Sequence, residues 1–157
     1  MPTGLRNENG DLDVVDRKLL RALDQNARIS IADLARQVDL SAPSVAERIR
    51  RLEDSGVITG YHAQIDPVAL GLPIAAWLRI RPIPGSLHLV ADLLRDLPQI
   101  VECDRITGDD CFIARAHLPD MAALEILIDK IIPHAMTNTS IIQSSPVKRR
   151  LPQYGEQ

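Results

Sequence analysis

The chain has 157 residues, enough for one mid-sized domain or two small ones and too few for most multidomain enzymes. Its 18 basic and 21 acidic side chains leave a formal charge of −3, so the bulk basic footprint of a nucleic-acid protein is absent. Four aromatic residues (Tyr61, Trp77, Phe112 and Tyr154) are too few for a base-stacking surface on single strands, and a 45% hydrophobic fraction argues for a folded chain.

Residues 1–9 carry no basic start followed by an apolar run, which argues against a secretory signal. No apolar stretch approaches the ~20 residues of a membrane span, so a cytoplasmic protein without membrane partners is expected. Helical spacing begins at Asp13, an N-cap followed by the first-turn acid Asp16. Val15, Leu19, Ala22 and Leu23 form one apolar stripe that fades at Gln25-Asn26. Ser30 with Asp33 resembles a capping box, and Leu34, Ala35 and Val38 give the next stripe. After a short turn at Asp39-Leu40, Ser41 caps a third helix with Pro43 in its first turn. That helix runs through Leu52 and stops at Gly56. Three helices with a tight turn between the second and third make a helix-turn-helix pattern.

From residue 57 the pattern changes. Val57–Ile65 alternates and predicts a strand or wing, and Asp66-Pro67 and Gly71-Leu72-Pro73 mark a linker. The spacing then predicts strands over Ile74–Arg81, Ile100–Thr107, Cys111–Leu118 and Thr139–Ser145. Helices are predicted over Ser86–Leu97 and Met121–Ile132, with a loose polar tail from Arg149. The order βαββαβ is the ferredoxin-like unit. The expected fold is therefore α+β, with a winged helix-turn-helix domain in residues 1–60 and a linker in 61–73. A ferredoxin-like domain follows in 74–150, and a tail in 151–157.

On the third helix Val45, Ile49 and Leu52 fall in one arc and form the buried face. Pro43, Glu47, Arg50, Arg51 and Asp54 lie opposite, with Ser44 and Arg48 on a flank. A helix laid in the major groove of double-stranded DNA reads base edges with its N-terminal half, which favours Ser44 and Glu47. Arg50 or Arg51 reaches a guanine or a phosphate, and Ser30 and Ser41 donate to phosphates at helix N-termini. With Pro43 and Arg48 these residues form the candidate DNA surface. The plain alternative is a solvated helix face with an ordinary mix of charges.

If residues 107–110 close a hairpin, Ile106 pairs with Cys111, Asp104 with Ile113 and Glu102 with Arg115. Val101, Cys103, Phe112, Ala114, Ala116 and Leu118 then face the helices. Ile100, Glu102, Asp104, Ile106, Cys111, Ile113, Arg115 and His117 share the other face, whose mixture suits a subunit interface. Glu102 and Arg115 are expected to form a cross-strand ion pair. The loop Thr107-Gly108-Asp109-Asp110 is chemically suited to an amino acid: turn amides hold a carboxylate and Asp109 or Asp110 an ammonium. Read from spacing alone, it is first of all a good turn. The four histidines lack metal-ligand spacing and the two cysteines, on opposite faces in this register, suggest neither a metal site nor a disulfide. No nucleophile motif or phosphate loop is present, and no enzyme is expected.

Several motifs occur together and in order. They include Leu12-Asp13-x-x-Asp16-Arg17-Lys18-Leu19-Leu20, Ala27-Arg28-Ile29-Ser30 and Leu34-Ala35. Leu40-Ser41 to Val45, Glu47-Arg48-Ile49-Arg50-Arg51-Leu52-Glu53 and Gly56-Val57-Ile58-x-Gly60-Tyr61 follow. Ile106-Thr107-Gly108-Asp109, Leu118-Pro119-Asp120-Met121 and Thr139-Ser140-Ile141-Ile142 complete the set. Over about residues 11 to 150 the chain resembles the Lrp/AsnC, or feast/famine, transcriptional regulators. The resemblance implies a DNA-binding helix-turn-helix and a C-terminal domain that senses a small molecule, typically an amino acid, with no other cofactor. It also implies dimers formed through the C-terminal sheets, often assembled into octamers, with effector contacts at the 107–111 loop. Ser140 and Ile142 are candidates to line the same pocket, and Met136 and Thr137 are weaker ones. The chain departs from a common family form, Gly-Asp-x-Asp: Cys111 stands where the second acid would be, and Asp110 one place early. Two alternatives to an amino-acid-responsive regulator are a nucleoid-architectural DNA-binding protein and a sirohaem-decarboxylase-like enzyme on the same fold. Residues 1–66 hold nine basic and eleven acidic side chains, so even the DNA-binding half is net acidic. Affinity is therefore expected from several recognition helices acting together, with a modest salt dependence.

Overall fold

The computed structural model describes residues 12–152, so residues 1–11 and 153–157 lie outside the described residues. The chain divides into two compact units. One runs to Ala63 and takes in the residues from Arg149, and the other is Gln64–Lys148.

The first unit holds α1 (Val14–Gln25), α2 (Ile31–Val38) and α3 (Ala42–Asp54). Each start is set by a short polar side chain that satisfies an otherwise orphaned backbone donor. Asp13 accepts from the Asp16 N–H at 2.7 Å and Asp16 reaches back to the Asp13 N–H, a complete capping box. Ser30 accepts from the Asp33 N–H at 3.0 Å, and Ser41 from the Ser44 N–H at 3.3 Å. The turn between α2 and α3 is closed by Asp39 in the left-handed region, φ 56°. Leu19, Leu34, Ala35, Val45 and Ile49 then meet in one buried cluster.

The Asp16 N–H, foremost, holds the Asp13 carboxyl below the usual carboxylate range, and Arg48 adds to the effect. A carboxyl with a depressed folded pKa stabilises the fold fully above its unfolded pKa, and that contribution is lost as pH falls through the folded value. Melts of the helical unit by circular dichroism are therefore expected to lose midpoint on acidification below about pH 4. Asp13→Asn, which keeps a cap acceptor and loses the titration, should flatten that slope; an unchanged slope would count against Asp13 as its source.

The strand or wing expected over Val57–Ile65 does not form. The segment bends at Val57-Ile58 and carries no strand through Ile65. Its anchor is Ile58, whose N–H donates to the Leu52 carbonyl at 2.9 Å and whose side chain packs on the helical cluster.

The second unit runs β1 (Ile74–Pro82), α4 (Leu87–Asp96), β2 (Ile100–Arg105), β3 (Phe112–Leu118), α5 (Met121–Ile131) and β4 (Ala135–Ile141). A single antiparallel sheet has the order β2-β3-β1-β4, the ferredoxin-like arrangement. One sheet face, with Ala76, Leu78, Ile80, Phe112, Ala114, Ala116 and Leu118, buries against Val90 and Leu94 of α4 and Leu124, Leu127 and Ile131 of α5. The helices leave the other face uncovered.

Three expectations are corrected here. The last strand starts four residues earlier than predicted, because its inward positions are Ala135, Thr137 and Thr139, an edge-strand set with little apolar signal. The hairpin register is as expected from Glu102↔Arg115 onward, but a bulge between Ile100 and Glu102 turns the strand over. Ile100 thus packs on the core, and Val101 is 57% exposed rather than helix-facing. Glu102 and Arg115 sit opposite each other without an ion pair: Arg115 instead lies over the Trp77 ring, 5.7 Å from its centroid.

Candidate functional site

The helix-turn-helix unit presents α3 with Val45, Ile49 and Leu52 buried, as the wheel requires. Pro43, Ser44, Glu47 and Arg50 are exposed along one side. The Ser41 and Ser44 hydroxyls share a 2.7 Å hydrogen bond at its N-terminus. The Ser30 hydroxyl donates to Asp33 at 2.6 Å at the head of α2.

The arginines of α3 are all engaged. Arg50 forks onto Glu47, at 3.0 Å from Nε and 2.6 Å from Nη2, and reaches Asp54 at 3.0 Å. These hydrogen bonds hold the Glu47 carboxyl below its usual range and raise Arg50. Arg48 turns back to α1, donating to Asp13 at 2.7 Å and to Asp16 at 2.8 Å. Arg51 donates to Asp16 at 3.0 Å. Tyr61 closes the C-terminal end by donating to Glu53 at 2.7 Å; burial, then Glu53, pushes its phenol up to about 12. The helical wheel shows which faces of α3 these arginines occupy, but not that Asp16, more than thirty residues earlier, takes two of them.

In the second unit the 106–111 loop joins β2 to β3. The Ile106 N–H donates to the Cys111 carbonyl at 2.9 Å, and the Cys111 N–H to the Ile80 carbonyl of β1 at 3.0 Å. Gly108 turns the loop at φ +108°, a backbone angle that side chains disfavour. Thr107, Gly108 and Asp109 are exposed, and Asp110 and Cys111 half-buried. Arg81, which has no motif to mark it in the sequence, lies 3.5 Å from Asp109 and 3.8 Å from Asp110. Its signal is positional: it is the next-to-last residue of β1, beside Cys111.

Candidates on the last strand divide. Met136 pairs with Arg81 in register and stands at the loop end of the sheet, 68% exposed. Thr137 pairs with Ile80 and points to the helix side. Ser140 pairs with Trp77, and Ile142 donates to the Ala75 carbonyl at 2.8 Å, both toward the opposite end. Four strand positions, roughly 13 Å, separate Ser140 from Met136, so within one chain Ser140 and Ile142 do not share a pocket with the loop. They line a groove of about 630 Å³ with Trp77, Arg115 and Val147. Arg115 Nε and, nearby on the same strand, His117 Nδ1 are buried without a hydrogen-bond partner; burial and Arg115 push the His117 imidazole down.

Among the described residues no cluster of three His, Cys, Asp or Glu could hold a metal, and no helix is long and apolar enough to cross a membrane. Cys103 and Cys111 are free thiols.

Residues 12–59 match the family model for winged helix-turn-helix DNA-binding domains, and residues 75–152 that of the Lrp/AsnC ligand binding domain. The HTH-type transcriptional regulator LrpC of Bacillus subtilis is 33% identical over 133 residues, covering 85% of this chain and 92% of the relative. The LrpC structure aligns with a TM-score of 0.85 and 31% identity, covering 89% of this chain and all of that one. The feast or famine regulatory protein of M. tuberculosis, solved with L-methionine, aligns at 0.84 with 30% identity over 90% of this chain and 99% of that one. A Neisseria meningitidis transcriptional regulator, also solved with L-methionine, aligns at 0.83 with 25% identity over 90% and 97%.

Proposed function

The chain belongs to the Lrp/AsnC family of transcriptional regulators, with a DNA-binding and a ligand-binding domain, and we propose that it binds specific operator sequences under the control of an amino acid. In this reading Pro43, Ser44, Glu47 and Arg50 face the base edges. Ser30 and Ser41 place the heads of α2 and α3 against phosphates. The protein acts in the cytoplasm by binding rather than by catalysis, as a dimer that assembles further.

The observation that carries the effector reading is the pairing of opposite charges on an exposed rim. Arg81 lies 3.5 Å from Asp109 and 3.8 Å from Asp110, long contacts that a zwitterion exchanges for its own. The guanidinium takes the carboxylate, the acids take the ammonium, and the Gly108 turn lets the backbone approach. L-methionine, held by two relatives, is the first compound to try.

A thermal-shift screen against the twenty amino acids tests it. A ligand at 100 times its dissociation constant adds about 2.7 kcal/mol to the C-terminal unit, which raises its midpoint by roughly 10 °C or more. A flat response to all twenty would sink the amino-acid reading. Arg81→Ala should remove the shift of the responding compound.

A further inference from the structure

We propose that Asp16 sets the DNA specificity of α3 by holding Arg48 and Arg51 against α1, so that neither cation is available to the DNA backbone. The inference rests on α3 being the reading helix and says how that helix is tuned.

Asp16 is the one buried charged side chain among the described residues, 3% exposed. Its carboxylate takes Arg48 Nη1 at 2.8 Å and Arg51 Nη2 at 3.0 and 3.2 Å, and Asp13 takes Arg48 at 2.7 Å. The two arginines are one turn apart on the flank of α3 that faces α1. The third, Arg50, is neutralised on the open side by Glu47 and Asp54. The reading helix therefore offers no unbalanced cation.

An exposed ion pair exchanges freely with a phosphate, because water screens both alternatives. Asp16 is different. Drawing either arginine to DNA weakens the pairing of a buried carboxylate, which is far costlier than breaking an exposed pair. The clamp thus outcompetes phosphate. Phosphate contacts supply affinity without sequence information, whereas base-edge contacts discriminate. A helix stripped of phosphate-seeking charge binds random DNA weakly and relies on matched bases. The same clamp fixes the rotation of α3 on α1, which aims Ser44 and Glu47.

The test uses the full-length chain and two DNAs: a duplex enriched from a random library by the wild-type protein, and the unselected library. Binding is measured from 50 to 200 mM salt. Each arginine freed onto a phosphate adds about 0.9 to the slope of log affinity against log salt. Asp16→Asn is expected to steepen that slope by about 1.8 per reading helix. It should also tighten binding to the unselected library by roughly tenfold at 50 mM, and tighten the selected duplex less, because Ser44 and Glu47 are no longer aimed, so the selected-to-unselected ratio falls. A parallel change on both DNAs with an unchanged slope would assign Asp16 a structural role alone and overturn the proposal.

Arg51→Gln judges the clamp even if Asp16→Asn fails to fold, since Arg48 still pairs with Asp16. It should keep the wild-type slope, and the Asp16→Asn/Arg51→Gln double variant, with only Arg48 freed, should show about half of the increase. A slope lowered by about 0.9 per helix in Arg51→Gln would show that Arg51 already neutralises phosphate, and the proposal falls. Enrichment of no sequence by the wild type would instead fail the reading of α3 as a sequence reader, while the slopes still judge the clamp.

Discussion

Leu34→Ala is expected to abolish DNA binding while the C-terminal unit stays folded. Leu34 is fully buried among Leu19, Ala35, Val45 and Ile49, where all three helices of the first unit meet. Truncating such a leucine costs about 3–5 kcal/mol, from lost transfer energy and the cavity left behind. A unit of about fifty residues holds only about 3–8 kcal/mol in total, so the loss is of the order of the whole. The larger cluster of the second unit contains no residue of the first. The chain carries its own reporter: the single tryptophan, Trp77, belongs to the second unit. Its fluorescence melt should be unmoved in Leu34→Ala, while far-UV circular dichroism loses the three-helix signal and gel shifts lose the complex. A joint loss of both signals would mean that the two units unfold as one.

What the sequence revealed and what it hid divide along the reach of the interactions. Asp13, Ser30 and Ser41 mark the three helix starts because a cap acts within three residues, and the observed starts follow them directly. The hairpin pairing of Asp104 with Ile113 is legible because a short loop fixes register. The bulge at Val101 is not, since it depends on how the strand lands on α4 rather than on alternation. Nor is the start of β4: Thr137 and Thr139 face the helices while Ile141 and Ile142 draw an apolar reading toward the C-terminus. The candidate sites follow the same rule. The exposed residues of α3 were readable from a wheel, whereas the attachment of Arg48 and Arg51 to Asp16 spans 32 and 35 residues. Arg81 meets the 106–111 loop only because β1 lies beside it, a neighbour far away in sequence. Arg115 illustrates the limit of pairwise reasoning, because the register that places Glu102 opposite it also places Trp77 alongside, and the ring wins.

Trp77→Ala is expected to dissociate the proposed dimer without unfolding the chain. The ring lies on the sheet face that the helices leave uncovered, half-buried and outside the core cluster. It stands on the central strand β1, with Arg115 on one side and Ser140 on the other. Around it Ile113 is half-buried, and Arg115 Nε and His117 Nδ1 are buried without partners. Buried polar atoms are nearly always satisfied in native proteins, and a second copy packed on this face would supply the missing partners. In a two-fold dimer the same residue serves both sides, so a loss counts twice. A central tryptophan is worth about 2 kcal/mol or more on truncation, hence about 4 for the pair, or roughly a thousandfold in dissociation constant. Sedimentation at micromolar concentration should move from the assembled species to the monomer, and DNA affinity should fall with it, because linked reading helices multiply weak contacts. Unchanged sedimentation would show that this face is not the one the partner covers, and would leave Arg115 and His117 to find their hydrogen-bond partners elsewhere.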